Sequence, residues 1–414
     1  MKLALLYAFR SSEWKSCISI TDNIKSSYSL LKHDIQYFDY DHLKGELHLE
    51  TLADQLKTFE PDRIIFIDHR PTPKQLLERL LKRNIDVPLI IHLYGDFSVY
   101  CNDWLEQEAL LKNFKVQFIT ASQSQLKFVT QFLNKSSDQV KKVSFAVDHK
   151  TFNHSEKDIT QFHTFYDIDP LMINFIYAGR ITNQKNIIQL ANIFKHQVLT
   201  KLPSANLIIA GEIDDQGSPF HGNYLAAGTT QLQLENSLGP NIKWIGSLSS
   251  EELAVAYNAS DCFISLSTFH DEDFGMAPIE AASTGLPLIL TGWGGYNDFI
   301  RQAPHSRKID VLSSNHHFQF NDQQVINSIL EQPKPSIQDK TTQSKTINEQ
   351  FSMDIISKEI DKIITNKNIE QFIGFNRLFW EFTRCFRENP SKPFADKNNT
   401  NKKIYTECYS AYTS

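Results

Sequence analysis

The residues richest in chemistry fall in two short stretches. In Ile176-Tyr177-Ala178-Gly179-Arg180 an apolar run of strand length ends on a glycine, Arg180 and Lys185 follow five residues apart, and Asn186 opens a helix. Two cations on a strand-to-helix loop can clamp a diphosphate, Arg through its planar fork and Lys as a point charge. A solvated basic loop fits the same pair. The second stretch is DEDFGMAPIEAASTGLP, Asp271 to Pro287, in which Glu272 and Glu280 stand eight apart around Phe274-Gly275-Met276-Ala277-Pro278. Pro278 suits the first turn of a helix, whose free amides would face an anion, and Gly275 would let that anion come close. A carboxylate has two acceptor oxygens and suits a vicinal diol, which fits Glu280 for a ribose and Glu272 for a sugar. Helix capping by Asp271, Glu272 and Asp273 accounts for the acidic cluster but not for the whole string.

Strands and helices must alternate to hold these residues. In the first half, Leu3–Phe9, Ile35–Phe38, Arg63–Ile67, Leu89–Leu93, Val116–Ile119 and Val143–Phe145 read as strands, with helical stretches such as Leu52–Phe59, Lys74–Lys82, Trp104–Leu111 and Ser124–Leu133. Polar His154–Pro170 reads as a connection. The pattern restarts with Phe175–Ala178, Leu207–Ala210, Ile242–Ile245, Cys262–Leu266 and Leu286–Leu290, around helices at Asn186–Leu199, Glu251–Tyr257 and Pro278–Ser283. Ser249 and Glu252 have capping-box spacing. Such alternation predicts doubly wound parallel sheets, with ligands at the carboxyl ends of strands facing a cleft between domains. A loop-like section around Gln332–Ser344, a helical region over Met353–Arg387 and a mobile tail over Ser391–Ser414 complete the pattern.

Composition narrows the classes. Glycine is scarce, 15 in 414 residues, and 12 of them lie between Gly179 and Gly295, so tight turns and close backbone approaches concentrate in one region. Lys+Arg number 42 against 48 Asp+Glu, which gives no global basic field for nucleic acid. Five cysteines without C-x-x-C spacing suit a reducing cytoplasm, and MKLALLYAFRSSEW reads as a first strand rather than a signal peptide. No Walker loop, G-x-S-x-G elbow or complete G-x-G-x-x-G occurs.

The Glu272-x7-Glu280 segment resembles the signature of retaining GT-B glycosyltransferases similar to glycosyltransferase family 4. Ala178-Gly179-Arg180 to Lys185 resembles the family's phosphate loop. Ile242–Ser267, with Glu252-Leu253 and Asp261, resembles its strand–helix–strand unit, and Thr284-Gly285-Leu286-Pro287 with Gly294-Gly295 resembles the turns that follow. Val147-Asp148 with Phe152 is similar to its exit from the N-terminal domain. The likeness is good from about Asn174 to Ile300 and weak before Val140. It implies an α/β GT-B fold, with two facing Rossmann-like domains, parallel sheets and an interdomain cleft. Expected boundaries are 1–165 for an acceptor domain, 171–352 for a nucleotide-sugar donor domain and 353–390 for helices crossing back.

The resemblance also implies roles. Arg180 and Lys185 would neutralise the donor diphosphate, and Glu280 would hold the ribose. Glu272, with amides around Phe274, Gly275 and Met276, would grip the transferred sugar, and His92 would reach it from the first domain, although a histidine after an apolar run also reads as a satisfied core residue. Gly179 would lie by the phosphates, with the base near Gly211-Glu212 and Gly246 to Leu248. The expected activity is retaining transfer of a hexosyl-type sugar from a nucleotide-diphosphate sugar, with no cofactor and no metal. The acceptor is open between a glycan, a lipid-linked molecule and a protein. A same-fold epimerase or phosphorylase, or a non-catalytic nucleotide-sugar-binding protein, is the alternative.

One departure concerns the first loop, often glycine-rich in the family and here Phe9-Arg10-Ser11-Ser12-Glu13-Trp14. Arg10 or Trp14 would then face an acceptor. Asp68, His69 and Arg70, after another strand, are acceptor-side candidates, for which ordinary polar loop residues are the stronger reading. Lys74–Arg83 and Leu378–Arg387 mix apolar and basic residues and could lie on an anionic bilayer, although packing on the first domain explains them better. The expected location is the cytoplasm, at the membrane surface if the acceptor is a lipid.

Overall fold

A computed structural model describes the chain except residues 9–14, 42–43, 69, 96, 135–137, 183–184, 214–226, 269–271, 315–316, 391–392, 395–398 and 414. Arg10, Trp14, His69 and Asp271 therefore lie outside the described residues, as do Gly217 and Gly222. The chain forms two compact units, Met1–Ala146 with Met353–Asn389, and Val147–Ser352 with Pro390–Ser414. Residues 147–165, expected within the first domain, group with the second unit.

In the first unit, β1 (Lys2–Tyr7), β2 (Asp34–Asp39), β3 (Arg63–Ile67), β4 (Leu89–Leu93), β5 (Val116–Thr120) and β6 (Val140–Lys142) form one parallel sheet in the order β2-β1-β3-β4-β5-β6. Every residue of β4 and of β5 is buried, as a strand covered on both faces requires. The last strand lies three residues before the expected Val143–Phe145. That apolar run is buried by packing beyond the ladder, with the Phe145 ring 6.5 Å from Tyr94. Apolarity reported burial there, not pairing.

The two stretches considered for a bilayer turn their apolar faces into this unit. Leu76, Leu77 and Leu80 of helix Lys74–Lys82 are fully buried, while Arg79 and Arg83 pair with Glu46, Glu50 and Asp54. In helix Arg377–Glu388, Phe379 packs 5.6 Å from Phe97 and 5.1 Å from Phe132, and Trp380 is exposed. Among the described residues no helix is long and apolar enough to cross a membrane.

The second unit carries β7 (Ile173–Ala178), β8 (Ala205–Ala210), β9 (Ile242–Gly246), β10 (Cys262–Ser265), β11 (Leu288–Thr291) and β12 (Arg307–Ile309), all parallel in the order β12-β11-β10-β7-β8-β9. One core cluster joins Phe175, Leu207 and Ile264 of this sheet to Ile187, Leu190 and Phe194. The chain starts at the middle strand β7, winds outward through β8 and β9, and returns to β7's other side as β10. The connections after β7 and β10 therefore diverge, opening a crevice at the carboxyl ends of these two strands. A hairpin of β13 (Val311–Ser314) and β14 (His317–Phe320) follows.

Two stretches differ from the sequence pattern. Residues 337–350, partly expected as loop, are the helix Ile337–Gln350, opened by a capping box of Ser336 and Asp339. Its buried face is polar: Lys340 Nζ donates to the Ser260 carbonyl at 2.6 Å, Gln343 Nε2 to Leu286 at 2.5 Å and Ser344 Oγ to Ser283 at 2.5 Å. No apolar stripe marks a helix docked in this way. The expected tail holds the helix Thr400–Tyr409, with Ile404, Tyr405, Cys408 and Tyr409 buried. Its core face is aromatic and sits among Lys, Asn and Thr, so composition concealed it.

Three glycines end β7, β8 and β9 in step. Gly179 N–H donates to Ala210 at 3.0 Å and Gly211 N–H to Gly246 at 2.7 Å. Gly211 has φ of +147°, and a Cβ there would stand 1.9 Å from the Gly179 carbonyl oxygen. Gly211→Ala should therefore lower the stability of this unit by about 2–4 kcal/mol, measured by thermal or denaturant unfolding, through backbone strain and overpacking.

Candidate functional site

The crevice between β7 and β10 gathers the cationic loop and the acidic loop. After Ala178 the chain turns at Gly179, and the Tyr177 hydroxyl donates to the Arg180 carbonyl at 2.7 Å, bracing the loop from beneath. Asn186 has φ of +52° and its Nδ2 donates to the Leu266 carbonyl at 2.7 Å and to Thr268 Oγ1 at 3.0 Å. Asn186 thus pins the cationic loop to the end of β10. Beside it, Lys185 Nζ stands 2.5 Å from Glu272 Oε2, with side-chain exposures of 15% and 9%.

Glu272 is seated by backbone packing. Gly295 N–H donates to the Glu272 carbonyl at 2.8 Å. A Cβ on Gly294 would lie 2.1 Å from that carbonyl oxygen, and one on Gly295 would lie 2.2 Å from Phe274 Cα. Only two successive glycines allow the two segments to meet this closely. Tyr296 follows: its buried hydroxyl lies 3.0 Å from Ser265 Oγ and faces the Glu272 carboxylate, and burial pushes the phenol's pKa well up, with the Glu272 charge adding. Tyr296 was not singled out by sequence reasoning, and its only signal was its place directly after Gly294-Gly295. The Phe274 side chain is core, 5.7 Å from Phe299, so backbone is what this residue can offer a ligand.

Gly275, with φ of +96°, precedes the helix Met276–Ser283, whose first-turn amides have no intrahelical acceptor. Glu280 lies on this helix, half-buried, and no described side chain pairs with it. Desolvation, with the Asp148 charge adding, raises its carboxyl to about 7. Glu272, by contrast, has a cation against it. At the ends of β8 and β9, Ile181 N–H donates to the Glu212 carbonyl at 2.8 Å, and Trp244 Nε1 donates to the Gly211 carbonyl at 2.8 Å. The Glu212 side chain is exposed and Leu248 is half-buried. Trp244 is a second residue not singled out from sequence.

Among the described residues no group of three His, Cys, Asp or Glu side chains is placed to hold a metal ion. Of the acidic triplet, Glu272 faces Lys185, and Asp273 Oδ1 accepts a hydrogen bond from the Tyr412 hydroxyl at 2.6 Å.

Two further candidates belong to the first unit. His92, near the carboxyl end of β4, is buried, its Nε2 lies 2.9 Å from the Tyr28 hydroxyl, and desolvation lowers its pKa to about 3. The ring is therefore neutral at physiological pH. Asp68 follows β3 and is buried, accepting from the Tyr40 hydroxyl at 2.6 Å and from the Arg70 N–H at 3.1 Å.

Residues 161–310 match the family described as Glycosyl transferases group 1. An uncharacterised glycosyltransferase of Methanocaldococcus jannaschii is 25% identical over 187 residues, covering 45% of this chain and 44% of that protein. The sulfoquinovosyl transferase of Arabidopsis thaliana is 26% identical over 166 residues, covering 40% of this chain and 28% of that protein. The matched stretches thus span less than half of these relatives. Among solved structures, Anabaena HepE in complex with UDP and glucose superposes with a TM-score of 0.62 at 15% identity, covering 88% of this chain and all of that one. Sucrose-phosphate synthase of Thermosynechococcus elongatus gives 0.61 at 12% identity, covering 88% and 98%. These structural likenesses speak for the fold. Residues 161–310 are thus similar to the group 1 glycosyl transferases, and the two parallel α/β units have the GT-B fold.

Proposed function

We propose that the protein is a retaining, metal-independent glycosyltransferase that moves a hexosyl-type sugar from a nucleotide-diphosphate sugar to an acceptor hydroxyl. The observation that carries this reading is the Lys185–Glu272 contact of 2.5 Å at the β7–β10 crevice, within the residues that match the family. A cation for a diphosphate and a carboxylate for sugar hydroxyls stand side by side where a nucleotide sugar has its phosphate–sugar bond. Anabaena HepE, similar in fold, is solved with UDP-glucose. Retention of configuration follows from the family resemblance.

Catalysis would rest on stabilising the departing nucleoside diphosphate, whose negative charge grows as the anomeric bond breaks. Arg180, Lys185 and the first-turn amides of helix Met276–Ser283 supply that positive potential. Glu272 orients the sugar and Glu280 accepts two hydrogen bonds from the ribose diol. The acidic side chains Glu272 and Asp273 are engaged by protein donors, which supports a reaction that uses no divalent ion. His92 would act as a neutral hydrogen-bonding group. The Tyr28 hydroxyl, 2.9 Å from Nε2, fixes the orientation of the ring.

Lys185→Ala should weaken UDP binding at least about tenfold by calorimetry, the value of one charge-assisted contact. Glu272→Gln should leave UDP affinity unchanged or higher, because an anion beside the diphosphate is removed, yet cut UDP-glucose turnover about 100-fold or more. Turnover of UDP-glucose that persists in excess chelator supports the metal-free reading; loss with chelator and return with a divalent ion overturns it. His92→Ala should lower turnover at unchanged UDP affinity, and full activity would return the ring to the core. Glu280 gives a pH signature. Its raised pKa means the folded state keeps a proton that the unfolded chain sheds between about pH 4.5 and 7. This stabilisation is lost as pH rises through 7, so Glu280→Gln should gain thermal stability over the parent at pH 8 but not at pH 5, by on the order of 2–3 kcal/mol. UDP should bind several-fold more tightly at pH 8 than at pH 6, with proton release, because the diol prefers the carboxylate; Glu280→Gln should flatten that dependence.

A further inference from the structure

We propose that Tyr412 is a positioning residue for the Glu272–Gly275 loop, an inference that rests on the reading of this loop as the seat of the donor sugar. Tyr412 is almost fully buried and holds two backbone segments at once. Its hydroxyl donates to Asp273 Oδ1 at 2.6 Å. Its carbonyl accepts from Gly294 N–H at 2.8 Å and from Asn297 Nδ2 at 3.2 Å. Gly295 N–H in turn donates to the Glu272 carbonyl at 2.8 Å. The segment that carries the sugar-facing carboxylate and the glycine pair beneath it are therefore bridged by one residue from more than a hundred positions away.

The bridge meets an electrostatic need. Glu272 and Asp273 are adjacent buried carboxyls, at 7% and 4% exposure, and two such groups each require a compensating donor. Lys185 answers the first and the Tyr412 hydroxyl contributes to the second. Tyr412 is itself fixed by a run of aromatic contacts. Its ring lies 5.5 Å from both Trp293 and Tyr409, Tyr409 lies 4.7 Å from Tyr405, and Tyr405 lies 5.8 Å from Phe318 of β14. The residues proposed for the nucleotide base sit instead on the β8 and β9 ends, which carry none of these bonds. Tyr412 should therefore govern the sugar end of the donor and leave the nucleotide end alone.

The test compares the whole chain with Tyr412→Phe, which keeps the ring packing and removes only the hydroxyl. Hydrogen exchange of residues 272–279 should accelerate at least about fivefold, with the β7–β9 peptides unchanged. By calorimetry UDP-glucose should bind about tenfold more weakly while UDP stays within about twofold. Unaltered exchange in 272–279, or equal weakening of UDP and UDP-glucose, overturns the proposal. Failure of the parent chain to bind UDP-glucose sinks the functional reading instead, whatever the exchange data show.

Discussion

A partly buried ion pair governs the arrangement of the candidate site. Lys185 and Glu272 belong to the connections after β7 and β10, and each would pay heavily to leave water alone. Their attraction offsets that cost only if both ends are held, because Coulomb energy is gained in full only at contact. The surrounding structure supplies the holding. Asn186 ties the lysine's loop to the Leu266 carbonyl, and the glycine pair at 294–295 lets the glutamate's backbone settle where no side chain would fit. A diphosphate would offer the lysine a second anion, and sugar hydroxyls would offer the carboxylate new donors. The pair holds both groups in one orientation.

The two glutamates, eight residues apart, live in opposite electrostatic settings. Glu272 has a cation at contact, while Glu280 has no described side-chain partner, and desolvation, with the Asp148 charge adding, lifts it to about 7.

Much of this was legible in the sequence, for identifiable reasons. Strands β3 and β4 are dominated by short apolar runs, Ile64–Ile67 and Leu89–Ile91, which the sequence shows directly. The capping box of Ser249 and Glu252 is a local device, readable from four residues. Arg180 directly follows a strand-ending glycine, Lys185 precedes a helix, and Glu272 and Glu280 flank Gly275, so their spacing could be read without tertiary partners. What escaped depended on tertiary partners. Helix Ile337–Gln350 is anchored by polar side chains reaching carbonyls some 60–80 residues away, which no period in its own sequence can show. Tyr296 is one aromatic among many until its hydroxyl is seen near Glu272, and Tyr412 looks like part of a polar, low-information stretch until Asp273 is found against it.

The interleaving of the two units has a consequence for how the molecule comes into being. The first unit needs residues 353–389 and the second needs residues 390–414, so a growing chain cannot complete either one before most of the other has been made. Neither unit therefore gains its last native contacts until the C-terminal segment has been made. Six parallel strands in each sheet already demand long loop closures. The strands of both sheets lie within residues 2–309, so nascent chains should complete the sheets yet leave bare, until synthesis ends, the surfaces on which residues 353–414 pack.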